Sequence, residues 1–283
     1  MTETDDSEAG PTVAVPQLAV DDLAVERNFD RVRDRVAALP DRVDVAVFPE
    51  YALTGFLDDD GLRAAALDRE TALDRLSAVA NDADAALTAG YVERDDGDLF
   101  NATAYVSPTD GLTDPSDPEH RPCAERAAVY RKRHLWGTEA DRLTAGTDRV
   151  VVDTPAGRTG LLTCYDLNFV AESAWFTERA VDALFVPGAW PAPHVRNWRL
   201  LLRARALDGV RWVVGAGRTG SAGASADDDR AERRYAGNSL VARPDGRVAA
   251  ELGRDERDLT ATLDRNVLAE QRDFVGSVPD VEK

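Results

Sequence analysis

Apolar runs alternate with amphipathic stretches along this chain, and the alternation repeats. Thr12–Val20 predicts a first strand. Beyond it Val25, Phe29, Val32, Val36 and Leu39 recur at spacings of four and three, one face of a helix with Asp21 or Asp22 as N-cap. Val43–Phe48 is a short apolar run that stops at Pro-Glu, the pattern of a buried strand delivering a loop at its carboxyl end. A second helix is expected over residues 61–80, followed by strands at Ala85–Val92 and Phe100–Val106. Ala127–Arg131 and Val150–Thr154 also predict strands. The turn Pro155-Ala156-Gly157 leads into another, Thr159–Thr163, which ends at Cys164. Helices over 170–180 and 194–208 bracket the strand Ala183–Val186, and Arg211–Gly215 comes next. Ser239–Arg243 and Arg247–Leu252 flank Pro244-Asp245-Gly246, a hairpin turn.

Strand, helix, strand, helix and paired strands, then the same again, imply two similar halves of one α/β domain with helix-covered sheets. This domain spans 12–264. Residues 1–11 form an acidic arm expected to be disordered. The tail 265–283 is too sparse in apolar residues to build a core, which leaves disorder or packing against another subunit. Residues 107–125, rich in Pro, Asp and Ser, and 216–230, rich in Gly, Ser and Asp, read as loops.

With 43% of its 283 residues hydrophobic, the chain can bury a sizeable core. A formal charge of −18 argues against a nucleic-acid binder or a polybasic membrane anchor. Lys132 and Lys283 are the only lysines, while arginine is abundant and Asp runs recur at Asp58–Asp60 and Asp227–Asp229. A surface rich in Asp and poor in Lys suits a salt-saturated cytoplasm, where repulsion between carboxylates is screened. The melting temperature should therefore fall as salt is removed; a value indifferent to salt would refute the halophilic reading. Cys123 and Cys164 provide no disulfide framework. No secretory h-region and no apolar stretch near ~20 residues is present, so a cytoplasmic protein is expected. Asn101-Ala102-Thr103 matches a glycosylation acceptor by chance in that setting.

Three residues could carry chemistry. Cys164 stands where an apolar strand opens towards a helix, either as a nucleophile beside backbone N–H groups or as a small buried hydrophobe. Glu50 directly follows an apolar strand, where burial would need a partner or a task; it could equally be a solvated loop residue. Lys132 sits in Tyr130-Arg131-Lys132-Arg133, a lysine kept where this sequence uses arginine almost everywhere else. A compact ammonium suits a single developing oxyanion better than a planar fork. Thiol, carboxylate and ammonium together supply the parts of an acyl transfer.

The same residues carry a resemblance. Phe48-Pro49-Glu50-Tyr51-Ala52-Leu53-Thr54-Gly55, Tyr130-Arg131-Lys132-Arg133-His134-Leu135 and Leu162-Thr163-Cys164-Tyr165-Asp166-Leu167-Asn168-Phe169 look like the three ordered motifs of the nitrilase superfamily of carbon–nitrogen hydrolases. The likeness runs from Val13 to about Thr262, with supporting matches at Val15-Pro16-Gln17, Val186-Pro187-Gly188-Ala189-Trp190-Pro191 and Gly237-Asn238-Ser239. It implies a four-layer α-β-β-α sandwich, a homodimer or higher homo-oligomer pairing through helices near the site, and no metal or cofactor. It also implies roles: Cys164 as nucleophile, Glu50 as general base and acid, Lys132 and the Tyr165 backbone N–H as oxyanion donors. Glu139 is implied to orient Lys132 or the substrate, and Tyr51 and Trp190 to lie against the substrate. Cys164-Tyr165-Asp166 resembles the amidase and carbamoylase branches, so a small carboxylated or carbamoylated amide is expected. The family's usual Pro-Glu after Phe169 is replaced by Val170-Ala171 with Glu172 one place later, Asp208 stands where glutamate is usual, and Gly215-Ala216-Gly217-Arg218 has glycine where asparagine is common.

Other patterns carry less. Gly215-Ala216-Gly217-Arg218-Thr219-Gly220 matches a dinucleotide fingerprint but continues into a loop. His120, His134 and His194 are too scattered for a zinc site. Arg196, Arg199 and Arg203 could attract a carboxylate or form a solvated face. Alternatives to the amide reading are nitrile hydrolysis by the same triad, a Cys–His hydrolase using His134 or His194, and a binding protein on this scaffold.

Overall fold

Strand β1 (Thr12–Gln17) sends Val13 and Val15 to one side and Ala14 to the other, and all three are fully buried. A strand covered on both faces has no polar side to show, hence the uninterrupted apolar runs in the sequence. The computed structural model describes residues 10–108, 127–222 and 233–276. Most of the 1–11 arm and of the 107–125 loop, with His120 and Cys123, lies outside the described residues, as does part of the 216–230 loop.

From β1 the chain passes through α1 (Val25–Ala37), β2 (Val45–Val47), α2 (Leu62–Ala65), α3 (Arg69–Ala83), β3 (Ala86–Asp95), β4 (Asp98–Val106), β5 (Ala127–Arg131) and α4 (Glu139–Arg142). The second half holds β6 (Val150–Thr154), β7 (Gly157–Leu161), α5 (Val170–Thr177), β8 (Ala183–Gly188), α6 (Val195–Gly209) and β9 (Trp212–Gly217). A short ribbon follows, β10 (Ser221–Ala222) with β11 (Arg233–Arg234), then β12 (Leu240–Ala242), β13 (Val248–Glu251), β14 (Arg257–Thr262) and α7 (Arg265–Val275).

The strands form two six-stranded sheets, ordered β14-β1-β2-β3-β4-β5 and β13-β12-β9-β8-β7-β6. Followed from β5 and from β13, successive neighbours in both sheets are antiparallel, antiparallel, parallel, parallel and antiparallel. The two sheets therefore share one pattern of strand directions, although β14 reaches the first from late in the chain while β6 directly precedes β7 in the second. Val13, Val45 and Tyr130 of the first sheet meet Leu161, Phe185 and Val214 of the second in an inter-sheet core. Phe29 and Val32 of α1 with Leu76 of α3 cover the first sheet, and Phe176, Trp198 and Leu202 of α5 and α6 cover the second. This is the α-β-β-α sandwich. Among the described residues, no helix is long and apolar enough to cross a membrane.

Three local expectations shift. The helix expected over 61–80 is two, because Leu67 is extended and pairs with β3 through Leu67 N–H to Val92 O (3.0 Å) and Arg94 N–H to Leu67 O (2.7 Å). Asp68 then caps α3, accepting from Thr71 N–H at 2.8 Å. Helix α1 starts after Ala24 with no side-chain cap; Asp22 instead accepts from Phe56 N–H (2.9 Å) and the Arg218 guanidinium (2.8 Å). Finally, 265–275 is helical: Val267 and Leu268 pack on the inter-sheet core, and Arg272 pairs with Asp182 at 2.8 Å.

Candidate active site

Each of the three chemical groups leaves the end of a strand, all at one rim of the sandwich. Strand β2 runs out through Phe48 and Pro49 to Glu50, and the next residue, Tyr51, sits at φ 61°. The turn is held against β3 by Gly90 N–H to Pro49 O (3.2 Å) and Leu53 N–H to Gly90 O (3.0 Å). A Cβ on Gly90 would lie 2.5 Å from Tyr51 N and 2.7 Å from Glu50 Cα, inside contact distance of rigid backbone. Gly90→Ala should therefore displace Glu50, lowering kcat about a hundredfold and stability by ~1–3 kcal/mol. A variant with normal turnover and melting would show that this approach does not matter.

Strand β5 ends at Arg131, and Lys132 follows, with its N–H on Asn101 O at 2.7 Å and its carbonyl accepting from Gly146 N–H at 2.8 Å. Strand β7 ends at Leu161, and Leu162-Thr163 leads to Cys164, whose φ of 49° is left-handed. Such a backbone costs of order 1 kcal/mol or more for a residue with a Cβ and persists only when its surroundings enforce it. Asp166 does so. One of its oxygens accepts from Thr163 N–H (2.9 Å) and Tyr130 O–H (2.6 Å), the other from His134 N–H (3.0 Å). One carboxyl thus ties the cysteine turn to both sides of Lys132.

Burial pushes the Asp166 carboxyl up to about 6, against the lowering pull of the Tyr130 hydroxyl and the Lys132 charge. A folded-state value above the usual 3.8 means that the protonated form is favoured by folding. That contribution is complete below about pH 4 and lost as pH rises through about 6, roughly 3 kcal/mol in all. Wild type should accordingly lose stability relative to Asp166→Asn between about pH 4 and 7 in denaturant titrations. Parallel pH profiles would contradict this.

Glu50, Lys132 and Glu139 form a buried cluster. Lys132 Nζ lies 2.9 Å from Glu50 Oε1 and 2.8 Å from Glu139 Oε2, with the Lys132 side chain only 1% exposed. The other Glu50 oxygen accepts from Ala189 N–H at 2.6 Å. Ala189 follows β8, which ends in Pro187-Gly188, the counterpart in the second half of Pro49-Glu50 after β2. Asn101 Nδ2 lies within hydrogen-bond distance of Glu50 Oε1 (2.7 Å), Tyr51 OH (2.8 Å) and Glu139 Oε1 (2.9 Å). The Tyr51 hydroxyl donates to Glu139, which also accepts from Trp136 N–H at 2.7 Å.

Burial alone would lower the lysine, but the charges of Glu139 and Glu50 hold it well above its ordinary value, so it stays an ammonium. Glu139, although buried, is held below the usual range by Lys132 and by the hydroxyl of Tyr51. Burial pushes the Cys164 thiol well up, Glu50 adds to this through its charge and a hydrogen bond, and Lys132 opposes it. Burial thus favours the neutral form of the Cys164 thiol, which lies within reach of the Glu50 carboxyl.

Two cavities meet at Cys164. The larger, about 270 Å³, is lined by Glu50, Tyr51, Lys132, Glu139 and Cys164, among others. The smaller, about 200 Å³, is lined by Tyr165, Asn168, Trp190 and His194 as well as Cys164. The structure thus brings Glu50, Lys132, Glu139, Tyr51 and Cys164 into one pocket, with Tyr165 and Trp190 in the adjoining lobe. Among the described residues, no group of three or more His, Cys, Asp or Glu side chains could hold a metal ion.

Asn101 and Asp166 are central to this site, and sequence reasoning does not single them out. The only signal for Asn101 is a polar residue inside an apolar strand, where the sequence offers just a chance glycosylation match. Glu172 accepts from Arg133 (2.5 Å) and Arg149 (2.7 Å), with His134 Nε2 at 2.9 Å, and the His134 ring stacks on Phe169. His134 is therefore occupied in bracing the lysine segment on α5. Asp208 pairs with Arg205 at 2.6 Å, whose guanidinium holds Leu167 O in the cysteine turn. In the Gly215–Arg218 segment, Gly217 admits no side chain, because a Cβ would strike the Gly237 carbonyl. Arg199 pairs with Glu251 and Arg203 donates to Gly246 O, away from both cavities.

A doubled α/β sandwich with a buried glutamate–lysine pair against a cysteine defines a thiol hydrolase with its own internal base. The carbon–nitrogen hydrolase model matches residues 12–273, and the chain belongs to that family. It is 29% identical to the 2-oxoglutaramate amidase of Bacillus subtilis, with 85% of each chain covered. It is also 29% identical to an (R)-stereoselective amidase of a Pseudomonas species, covering 93% of this chain and 88% of that one. Among solved structures, a CN-hydrolase superfamily protein of Xanthomonas campestris superposes with a TM-score of 0.79 at 24% identity, over 96% of this chain and 97% of that one. The enzyme is a carbon–nitrogen hydrolase of the amidase type, and Glu50, Lys132 and Cys164 fit its triad.

Proposed function

We propose that this enzyme hydrolyses the C–N bond of a small amide or N-carbamoyl compound through a thioester on Cys164, releasing ammonia or an amine. The observation that carries it is one pocket lined by the Cys164 thiol, the Glu50 carboxyl and the buried Lys132 paired with it. In the first step Cys164 Sγ attacks the carbonyl carbon while Glu50 takes the thiol proton. The carbonyl oxygen becomes an oxyanion between Lys132 Nζ and the Tyr165 N–H. Collapse breaks the C–N bond, and Glu50 returns the proton to the leaving nitrogen. Water then attacks the thioester with Glu50 again as base, and the acid leaves as the thiol is reprotonated. Glu139 keeps Lys132 charged and aimed, and Tyr51 and Trp190 flank the substrate. The amidase relatives support the amide over a nitrile.

Homodimer formation belongs to the same proposal, through α5 and α6. Val170, Leu200 and Leu207 are exposed on these helices at 65%, 64% and 55%, an apolar surface that a second copy would cover. Cytoplasmic residence in a salt-rich solvent completes it, as the excess of aspartate over lysine favours.

The test is an ammonia-release screen over amides, carbamoyl compounds and nitriles at molar salt, with Cys164→Ala as control. Turnover of amides or carbamoyl compounds, abolished in Cys164→Ala, supports the reading. Activity confined to nitriles would replace it with nitrile hydrolysis. Turnover that survives in Cys164→Ala would end it.

A further inference from the structure

Strand β4 sends Ala102, Ala104 and Val106 into the helix-covered core and Tyr105 into the inter-sheet core. By the two-residue alternation, Asn101 shares the face of Tyr105, and it is fully buried there. A buried amide needs partners for two N–H groups and a carbonyl. Asn101 meets only half of that need. Its Nδ2 has three oxygens in reach, Glu50 Oε1 at 2.7 Å, the Tyr51 hydroxyl at 2.8 Å and Glu139 Oε1 at 2.9 Å. Its Oδ1 has no hydrogen-bond partner among the described residues. Turned over, the amide would set its carbonyl against two carboxylates, so its orientation is fixed by the acids even though an acceptor is left bare.

We propose that Asn101 is a positioning residue of the hydrolysis, dividing its two N–H groups between the Glu50 and Glu139 sides so that both acids stay charged and keep separate roles. Glu50 is then free to act as base at Cys164, and Glu139 anchors Lys132. The need is electrostatic. Both carboxylates bond to Lys132, so two like charges crowd one ammonium. Carboxylates so placed tend to bind one proton and share it, unless donors favour the charged form of each. A shared proton would disable the base. Lys132 cannot prevent this alone, because one of its three N–H groups is required at the oxyanion. The charged and titratable groups that act on Glu50 are Lys132, Glu139, Tyr51, Cys164 and, from the end of β9, Arg218. Arg218 spends its guanidinium on Val20 O and Asp22. A further cation at position 101 would compete with Lys132 for its carboxylates, whereas an amide adds two donors and no charge. The backbone of Asn101 also holds the lysine, accepting from Lys132 N–H at 2.7 Å, a bond that side-chain substitution leaves in place. This inference rests on the amide reading and deepens it by a residue.

Asn101→Leu keeps the size of the side chain and removes both donors. On an amide that wild type hydrolyses, kcat should fall roughly tenfold to a hundredfold while KM changes less than about threefold. A donor to the charged form favours that form, so its loss raises the pH at which the carboxylate pair binds a proton. The acid limb of kcat/KM should therefore move up by about one pH unit. Asn101→Ser, which retains one donor, should fall between. A side chain that only fills space predicts a lower melting temperature with the limb unmoved; that result, or a normal kcat, overturns the proposal. A second measurement needs no turnover: infrared titration of the buried carboxyls. The acid band that Glu50→Gln or Glu139→Gln removes should appear in Asn101→Leu about one pH unit higher than in wild type. Asp166, raised by burial to about 6, titrates in both proteins and cancels in the difference. An unmoved band overturns the proposal, and Asn101→Ser carries both tests if the leucine variant does not fold. If the band moves while wild type releases ammonia from no amide or carbamoyl compound, the amide reading fails and the hold of Asn101 on the two acids stands.

Discussion

Glu50→Gln should lower kcat/KM for an amide by about a thousandfold while the protein remains folded. The size follows from the two duties the residue has in each half-reaction, accepting a proton from sulfur or water and returning it to nitrogen or sulfur. An amide side chain can do neither. Geometry adds to the loss. Glu50 Oε1 accepts from Lys132 and Asn101, and Oε2 accepts from Ala189 N–H. A carboxylate accepts on both oxygens, whereas glutamine offers one acceptor and one donor. Whichever way the substituted amide turns, its NH₂ group faces another donor, so the side chain should also shift. Steady-state ammonia release, with melting as the control for folding, measures the effect. Turnover within about tenfold of wild type would remove Glu50 from the chemistry. Preserved turnover here with loss in His134→Ala would instead favour a Cys–His pair, although His134 already stacks on Phe169 and contacts Glu172.

The order of strands and helices is legible because each buried strand announces itself as an apolar run and each covering helix as a three-four spacing. The doubling is legible for the same reason, since both sheets obey one pattern of strand directions. Boundaries are not. Leu67 breaks a helical run because it is recruited by β3, and α1 lacks its aspartate cap because Asp22 is drawn to Phe56 N–H and Arg218. Such long-range claims on a side chain leave no mark in local sequence. Helix α7 escapes the pattern because a short surface helix needs only Val267 and Leu268 on the core. The triad is legible from type and place: an acid, a lysine and a cysteine at strand ends. Its support is not, because Asn101 and Asp166 differ from ordinary polar residues only in what surrounds them.

Lys132→Arg should be nearly as damaging as Glu50→Gln, about a hundredfold to a thousandfold in kcat, although it preserves charge. The chain itself frames this test, since it uses arginine for almost all of its other cations. Lys132 Nζ fills a closed space between Glu50 Oε1 at 2.9 Å and the two Glu139 oxygens at 3.0 and 2.8 Å, with the Cys164 thiol near enough for the ammonium to lower it. An ammonium donates in three directions from one atom, so it can serve both carboxylates and still face a developing oxyanion. A guanidinium is longer and flat. It would pair with Glu139 through its fork, push into Glu50, and present no single donor where the oxyanion forms. Overpacking of this order costs ~1–3 kcal/mol, so the variant should melt lower but stay folded. Lys132→Met separates charge from shape: it leaves two buried carboxylates without their cation, and should cost more stability than arginine does. Normal kcat in Lys132→Arg would mean that the lysine survived here by accident and that the oxyanion is held by backbone alone.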